Sequence, residues 1–251
     1  MTHLNPEDNM QRIILGAAAL LLAIAFNLPF ALLASSFDYP DILRRPAGEV
    51  LDAFAAGGAP LILTWYAFAL SAVGLIFFAP TLALATADWA RRPGLAVAAA
   101  LMGALAGIAQ AIGLFRWVFA VPALATLHAD PATDAATRAS LETAFTLLNG
   151  WGGVAIGEHL GQILTLAWVT LAALQALSTG QRFAKPGAAV AALAVVGIGI
   201  GLGEGLSIAL GHEAPLLAMA TVAGYLAFSL WLLVTGAGLI AHSFFPARQT
   251  L

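Results

Sequence analysis

Residues 187–210 read GAAVAALAVVGIGIGLGEGLSIAL. The central GIGIGLGEG, Gly197 to Gly205, invites comparison with a phosphate-cradling loop, which needs a strand before it and a helix opening behind it. Here the glycines alternate inside one continuous apolar run, and no strand pattern precedes them. At about 1.5 Å per residue a helix of this length crosses a hydrocarbon layer of about 30 Å. Gly197, Gly201 and Gly205 then fall on one face with small-xxx-small spacing, suited to close approach by a second backbone. The stretch predicts a membrane-spanning helix with a packing face, and it carries Glu204 inside.

Working outward, the same reading fits most of the chain. Of 251 residues 61% are hydrophobic and 9% charged, and the mean hydropathy is +0.92. Soluble domains are about a quarter charged, so the composition belongs to the membrane class. Spans are expected at about 12–34, 60–86, 95–119, 152–177, 187–210 and 216–241, the third carrying Gln110 and reaching Arg116. The expected fold is therefore all-α: a six-transmembrane-helix bundle forming one integral-membrane domain over 1–251, with no room for a soluble catalytic domain. Pro29 should kink the first span. Trp65 and Tyr66 suit a membrane interface.

Two polar segments also carry helical stripes. Leu43, Ala47, Val50, Leu51 and Phe54 form one, and Leu141, Ala144, Phe145 and Leu148 another, with Asp134 as a cap for the second. Both predict short amphipathic helices on the outer surface.

The segment before Arg12 is acidic and lacks the basic region of a cleaved signal, so the first apolar run is expected to stay as a span. No cysteine is present, which excludes disulfides, thiolate metal sites and cysteine nucleophiles. The net charge of -3 is spread thinly and no basic tract exists, so nucleic acid is not an expected partner. Arg12, Arg91, Arg92, Arg182, Lys185 and Arg248 fall on the amino-terminal side of the bilayer, against Arg44, Arg45, Arg116 and Arg138 on the other. That asymmetry predicts both termini inside.

Polar groups within the spans are the candidate site. Measured from each span's midpoint, Glu158 and Glu204 fall roughly 9 and 8 Å toward the outer side, taking about 1.5 Å per residue. Gln110 and Gln162 sit nearer the centre, Asn27 lies slightly outward, and Arg116 lies close to the outer boundary. A charge facing lipid costs about 2.5–3.5 kcal/mol at a helix centre, so these groups should turn inward and meet. Arg116 is the natural partner for a carboxylate, with the two amides satisfying the remaining oxygens. Such a cluster is either a structural network fixing helix registry or a site for a small ligand or ion, and both readings stay open.

His159 and Glu158 are adjacent, about 100° apart on a helix, and are the candidate acid–base pair if the chain is catalytic. His128, His159 and His212, with Glu158, Glu204 or Glu213, are weak candidates for a divalent metal. No other cofactor is expected. GHEAP places Leu216 where a metalloprotease motif needs histidine, and the serines of the spans have no histidine at helical spacing. Haem would need two facing histidines within spans, and only His159 lies clearly inside one.

The expected function is a binding protein for a small ligand or ion, with its polar pocket in the outer half. The alternatives are a membrane-embedded enzyme acting on a lipid or apolar substrate, and a structural or partner subunit. Membrane lipid is the expected partner, and the glycine faces allow a homo-oligomer. Polar groups are sparse at the inner ends and no internal repeat is evident, so binding ranks ahead of transport.

At YPDILRRPAGEVL (Tyr39 to Leu51), LFRWVFAVPAL (Leu114 to Leu124) and GEHLGQ (Gly157 to Gln162), the chain resembles an uncharacterised bacterial integral-membrane family, domain of unknown function 4386. The resemblance extends over almost the whole chain. It implies about six spanning helices in a bacterial cytoplasmic membrane and supplies no chemistry for Arg116, Glu158 or His159.

Overall fold

The structure is a computed structural model that describes residues 6–212 and 214–244. His3, Glu213 and Arg248 lie outside the described residues. Helix α1 covers Pro6–Phe37, and a short 3-10 turn at Asp41–Arg44 leads into α2, Ala47–Ala85. Helices α3, α4 and α5 follow at Pro93–Phe119, Val121–Ala129 and Ala135–Leu148. A π-helix at Asn149–Leu160 runs into α6, Gly161–Ser178, and the chain continues through α7 (Ala184–Gly201), α8 (Gly203–Ala209) and α9 (Pro215–Phe244).

Among the described residues six helical segments are long and apolar enough to cross a membrane: Asn9–Phe37, Ala47–Ala85, Pro93–Ala129, Ala135–Ser178, Ala184–Ala209 and Pro215–Phe244. Each contains or nearly contains an expected span, and most run longer. Helix α1 continues through Pro29. The two segments expected as separate amphipathic helices are continuous with spans. Residues 47–57 are joined to the rest of α2 through Gly58, whose φ of 57° and ψ of -151° break the helical path. Helix α5 passes directly into the π-helix. The stripe of the first segment faces protein: Val50 and Leu51 are fully buried and Phe54 nearly so.

The chain divides into two compact units. One comprises Met1–Ile24, Gly74–Gly107 and Gln162–Leu251; the other comprises Ala25–Val73 and Ile108–Gly161. In the first unit α7 packs along α9, and the glycine spacing of 187–210 is what permits it. A methyl built on Gly197 would stand 2.6 Å from the Cα of Gly224, and one on Gly201 would strike Thr221. With lipid outside, such packing and not water exclusion drives helix association. Trp168 forms the aromatic centre of this unit, 5.2 Å from Trp231 and 5.8 Å from Phe228, ring to ring.

The second unit is built on an aromatic core. Trp65 and Trp117 stack at 4.8 Å with 10° between their planes. Phe37 meets both edge-on, and Phe54, Phe145 and Tyr39 close around them. Offset and edge-on pairs of this kind contribute about 0.5–1.5 kcal/mol each beyond simple burial. Trp65 is completely buried here, which corrects its expected place at a membrane interface; its neighbour Tyr66 is 40% exposed. The two residues point to different sides of one helix, so a pair of adjacent aromatics was never one feature.

Candidate functional site

The second unit holds Arg116, Glu158 and His128. Arg116 sits in the last turn of α3 and is only 8% exposed. One terminal nitrogen donates to the carbonyl of Gly113 in the preceding turn, and the other donates to Asn149 Oδ1 at 2.9 Å. Its Nε is buried and has no partner among the described residues. The guanidinium lies 5.1 Å from the ring centre of Trp117, so the aromatic core also contributes a cation–π contact. Among the described residues its hydrogen-bond acceptors are both neutral.

Glu158 acts on Arg116 through its charge, while its ion pair is with a different arginine. Arg44 Nη2 stands 3.3 Å from Glu158 Oε2, the two side chains being 35% and 28% exposed. Arg44 is delivered by the 3-10 turn, which is anchored by Ile42 and Leu43, both buried. Arg45, next along, pairs with Asp38. Sequence reasoning placed Arg44 at the surface because nothing local connects it to a residue so far away in the chain. Asn149 was missed for the same reason.

The π-helix explains how Arg116 is held. Wide turns of this kind are rare, usually single, and frequent at functional sites; this one covers Asn149–Leu160. Glycines at 150, 152, 153 and 157 weaken the preference for α-helix and leave no side chains to crowd the wider turn. Gly153 presses on the guanidinium: a methyl there would come within 2.5 Å of Arg116 Nη2.

Of the other expected site residues in this unit, Gln110 lies beside Gly161, its Cγ 3.3 Å from where a methyl on that glycine would be. Asn27 is half-buried on α1. His159 is half-buried, its Nδ1 enclosed and without a partner among the described residues. Gln162 and Glu204, 5% and 8% exposed, belong to the first unit.

His128 makes a second polar centre, with Asp52 and Glu142. It is 6% exposed. Its Nδ1 stands 2.8 Å from Asp52 Oδ1 and its Nε2 3.1 Å from Glu142 Oε1. Arg138 Nε donates to the backbone carbonyl of His128 at 3.2 Å. The two ring nitrogens point in opposite directions, each taken by its own carboxylate, which suits a doubly donating imidazolium and not an ion ligand. His212 is exposed in the turn before α9. Among the described residues no group of three or more histidines and acids is arranged to hold a metal ion.

Asp134 caps α5 as its position suggested. It accepts from the Thr137 backbone N–H and hydroxyl, each at 2.9 Å. Those bonds hold its carboxyl below the usual range.

The profile of the family described as domain of unknown function 4386 matches residues 14–236, and the chain belongs to that family. No curated protein and no solved structure matches.

Proposed function

We propose, from membership in a family whose description assigns no activity, that the chain is an integral-membrane binding protein for a small anionic ligand held at Arg116. One observation carries this reading. A guanidinium 8% exposed, hydrogen-bonded to two neutral acceptors, keeps a buried Nε–H without an acceptor among the described residues. A carboxylate or phosphate oxygen supplies the acceptor that arrangement lacks, with the strength of a charge-assisted bond. Intramembrane ionisable groups are functional candidates by default because burying them is expensive.

Gly153 lies against the guanidinium, so a ligand reaches Arg116 only when the π-helix shifts. The glycines of that segment make it the natural moving part. In this reading Glu158 and Arg44 form the polar rim, while His159, Gln110 and Asn27 supply polar groups around it. The excess of basic residues on the amino-terminal side supports placing Arg116 in the outer half, with both termini inside a bacterial cytoplasmic membrane. Residues 47–57 and 135–148 then lie along the outer surface, and lipid surrounds the spans.

The test uses the full chain in mild detergent. Added phosphate or acetate, at constant ionic strength, raises the melting temperature of the wild type by mass action and leaves Arg116→Gln unmoved. Native mass spectrometry of the same preparations identifies any retained anion. A wild type that retains no anion and responds to none overturns the reading, and Arg116 is then a structural lock within the aromatic core.

A further inference from the structure

One end of the first unit draws basic side chains together from α1, α9 and the loop between α6 and α7. That loop is tight, with Gly180 and Phe183 both in left-handed backbone conformations, φ 63° and 62°. It lays the carbonyl of Arg182 on α9: a methyl on Gly238 would stand 2.5 Å from it. Gly238 thus admits the loop, and His242 follows about one turn further along the same helix. From another side α1 closes on α9. A methyl on Gly16 would come within 2.6 Å of Ile240, and the Ser243 hydroxyl lies 3.4 Å from the Asn9 carbonyl oxygen. Arg12 lies on α1 between those two contacts.

Arg12 and Arg182 both act on His242 through their charges, so each of the three elements brings a basic group to one place. Arg12 and His242 are half-buried and Arg182 is exposed. The acids of the same stretch, Glu7 and Asp8, precede Arg12 by a turn or more and so stand about 6–7.5 Å further out along α1. Apolar side chains border the cluster. Phe183 is 44% and Phe244 66% exposed, and the guanidinium of Arg182 lies 5.8 Å from the Phe183 ring centre. A soluble anion has no use for exposed phenyl rings, whereas a phospholipid carries a phosphate for guanidiniums and chains for the rings.

We propose that Arg12, Arg182 and His242 form a headgroup site for an anionic phospholipid, in the leaflet where α1 begins and α9 ends. The two guanidiniums take the lipid phosphate, the imidazole adds a hydrogen bond, and the acyl chains run beside Phe183 and Phe244. Basic groups placed together at a bilayer boundary recognise lipid in this way. The proposal uses no residue of the second unit and is independent of the reading of Arg116.

The test is native mass spectrometry of the delipidated full chain in mild detergent, titrated with phosphatidylglycerol or with phosphatidylcholine of the same acyl chains. The wild type should retain phosphatidylglycerol in preference, and Arg12→Gln and Arg182→Gln should each weaken that retention about fivefold. The control, Arg91→Gln with Arg92→Gln, removes two exposed arginines from the turn between α2 and α3 and should leave it unchanged. Equal loss in the control assigns the attraction to diffuse surface charge and overturns the site, as does a wild type without preference. Inorganic phosphate at the same concentration should not displace the lipid; displacement makes the ligand a soluble anion and overturns the lipid reading. Arg182→Gln alters an exposed loop side chain, so its melting temperature should match the wild type. Undiminished lipid retention in that variant alone refutes the proposal, even if Arg12→Gln fails to fold.

Discussion

Gly113 and Gly157 meet backbone to backbone: a methyl on either would come within 2.6 or 2.7 Å of the other's Cα. This contact sets the distance between α3 and the π-helix in the second unit, and it brings Gly153 onto Arg116 one turn further. No flexible side chain stands between the two glycines to yield. Gly157→Ala is expected to force the helices apart, costing about 1–3 kcal/mol as an overpacked contact. Thermal unfolding in detergent reads the loss, and Gly113→Ala should match it. A Gly157→Ala protein as stable as the wild type would show that the approach is looser than described.

The partner of Glu158 gives a second prediction. Its ion pair with Arg44 involves two partly exposed side chains at 3.3 Å, where solvent screens the attraction. A double-mutant cycle of Arg44→Gln and Glu158→Gln should return a coupling of no more than about 1 kcal/mol. Arg116→Gln should cost more than Arg44→Gln, because its loss leaves the Gly113 carbonyl and Asn149 to find other donors in a buried setting. The reverse order would place the structural weight on the 3-10 turn instead.

What the sequence disclosed follows the range of each interaction. Spans were legible because apolar length is a local property, and so were the Val50–Leu51–Phe54 stripe and the Asp134 cap, which repeat or act within a turn. The buried position of Arg116 was legible from the cost of charge in lipid. Its partners were not. Arg44 and Asn149 come from remote segments, and no short-range pattern distinguishes them from solvated polar residues. The π-helix was hidden for a different reason: glycines at close spacing signal helix packing as readily as they signal a widened turn. Trp65 was misplaced because an aromatic near a span's end serves an interface or a core equally well, and only the stacking partner, Trp117, decides.

Asp134 yields a pH prediction. Its carboxyl is held below the usual range by the Thr137 bonds, so its contribution to α5 is present above the unfolded carboxyl's pKa. That contribution disappears as the pH falls through the lowered folded value. Hydrogen exchange at residues 135–139 should quicken over that acidic window in the wild type. In Asp134→Ala it should already be fast at neutral pH, with no acid step from this position. An acid step retained in the variant would assign the effect to another carboxylate.

His128 carries the last prediction. Hydrogen bonds to Asp52 and Glu142 at opposite ring edges tie α4 to both α2 and α5. Only the imidazolium donates at both nitrogens, and a neutral ring keeps one donor and turns its other nitrogen, an acceptor, toward a carboxylate. Raising the pH until the ring deprotonates should therefore release one carboxylate. The neighbouring charge of Arg138, which donates to the His128 carbonyl, remains throughout. Helix α5 has few buried side chains besides Phe145, so it is the element expected to loosen. Hydrogen exchange across residues 135–148 should rise with pH in the wild type, beyond the intrinsic chemical acceleration. His128→Gln should exchange rapidly at every pH, because its one amide nitrogen cannot reproduce both donors at the two edges of a ring. If α5 in that variant stays as protected as in the wild type, Phe145 and the aromatic core alone hold the helix, and the Asp52–His128–Glu142 chain is ornamental to its stability.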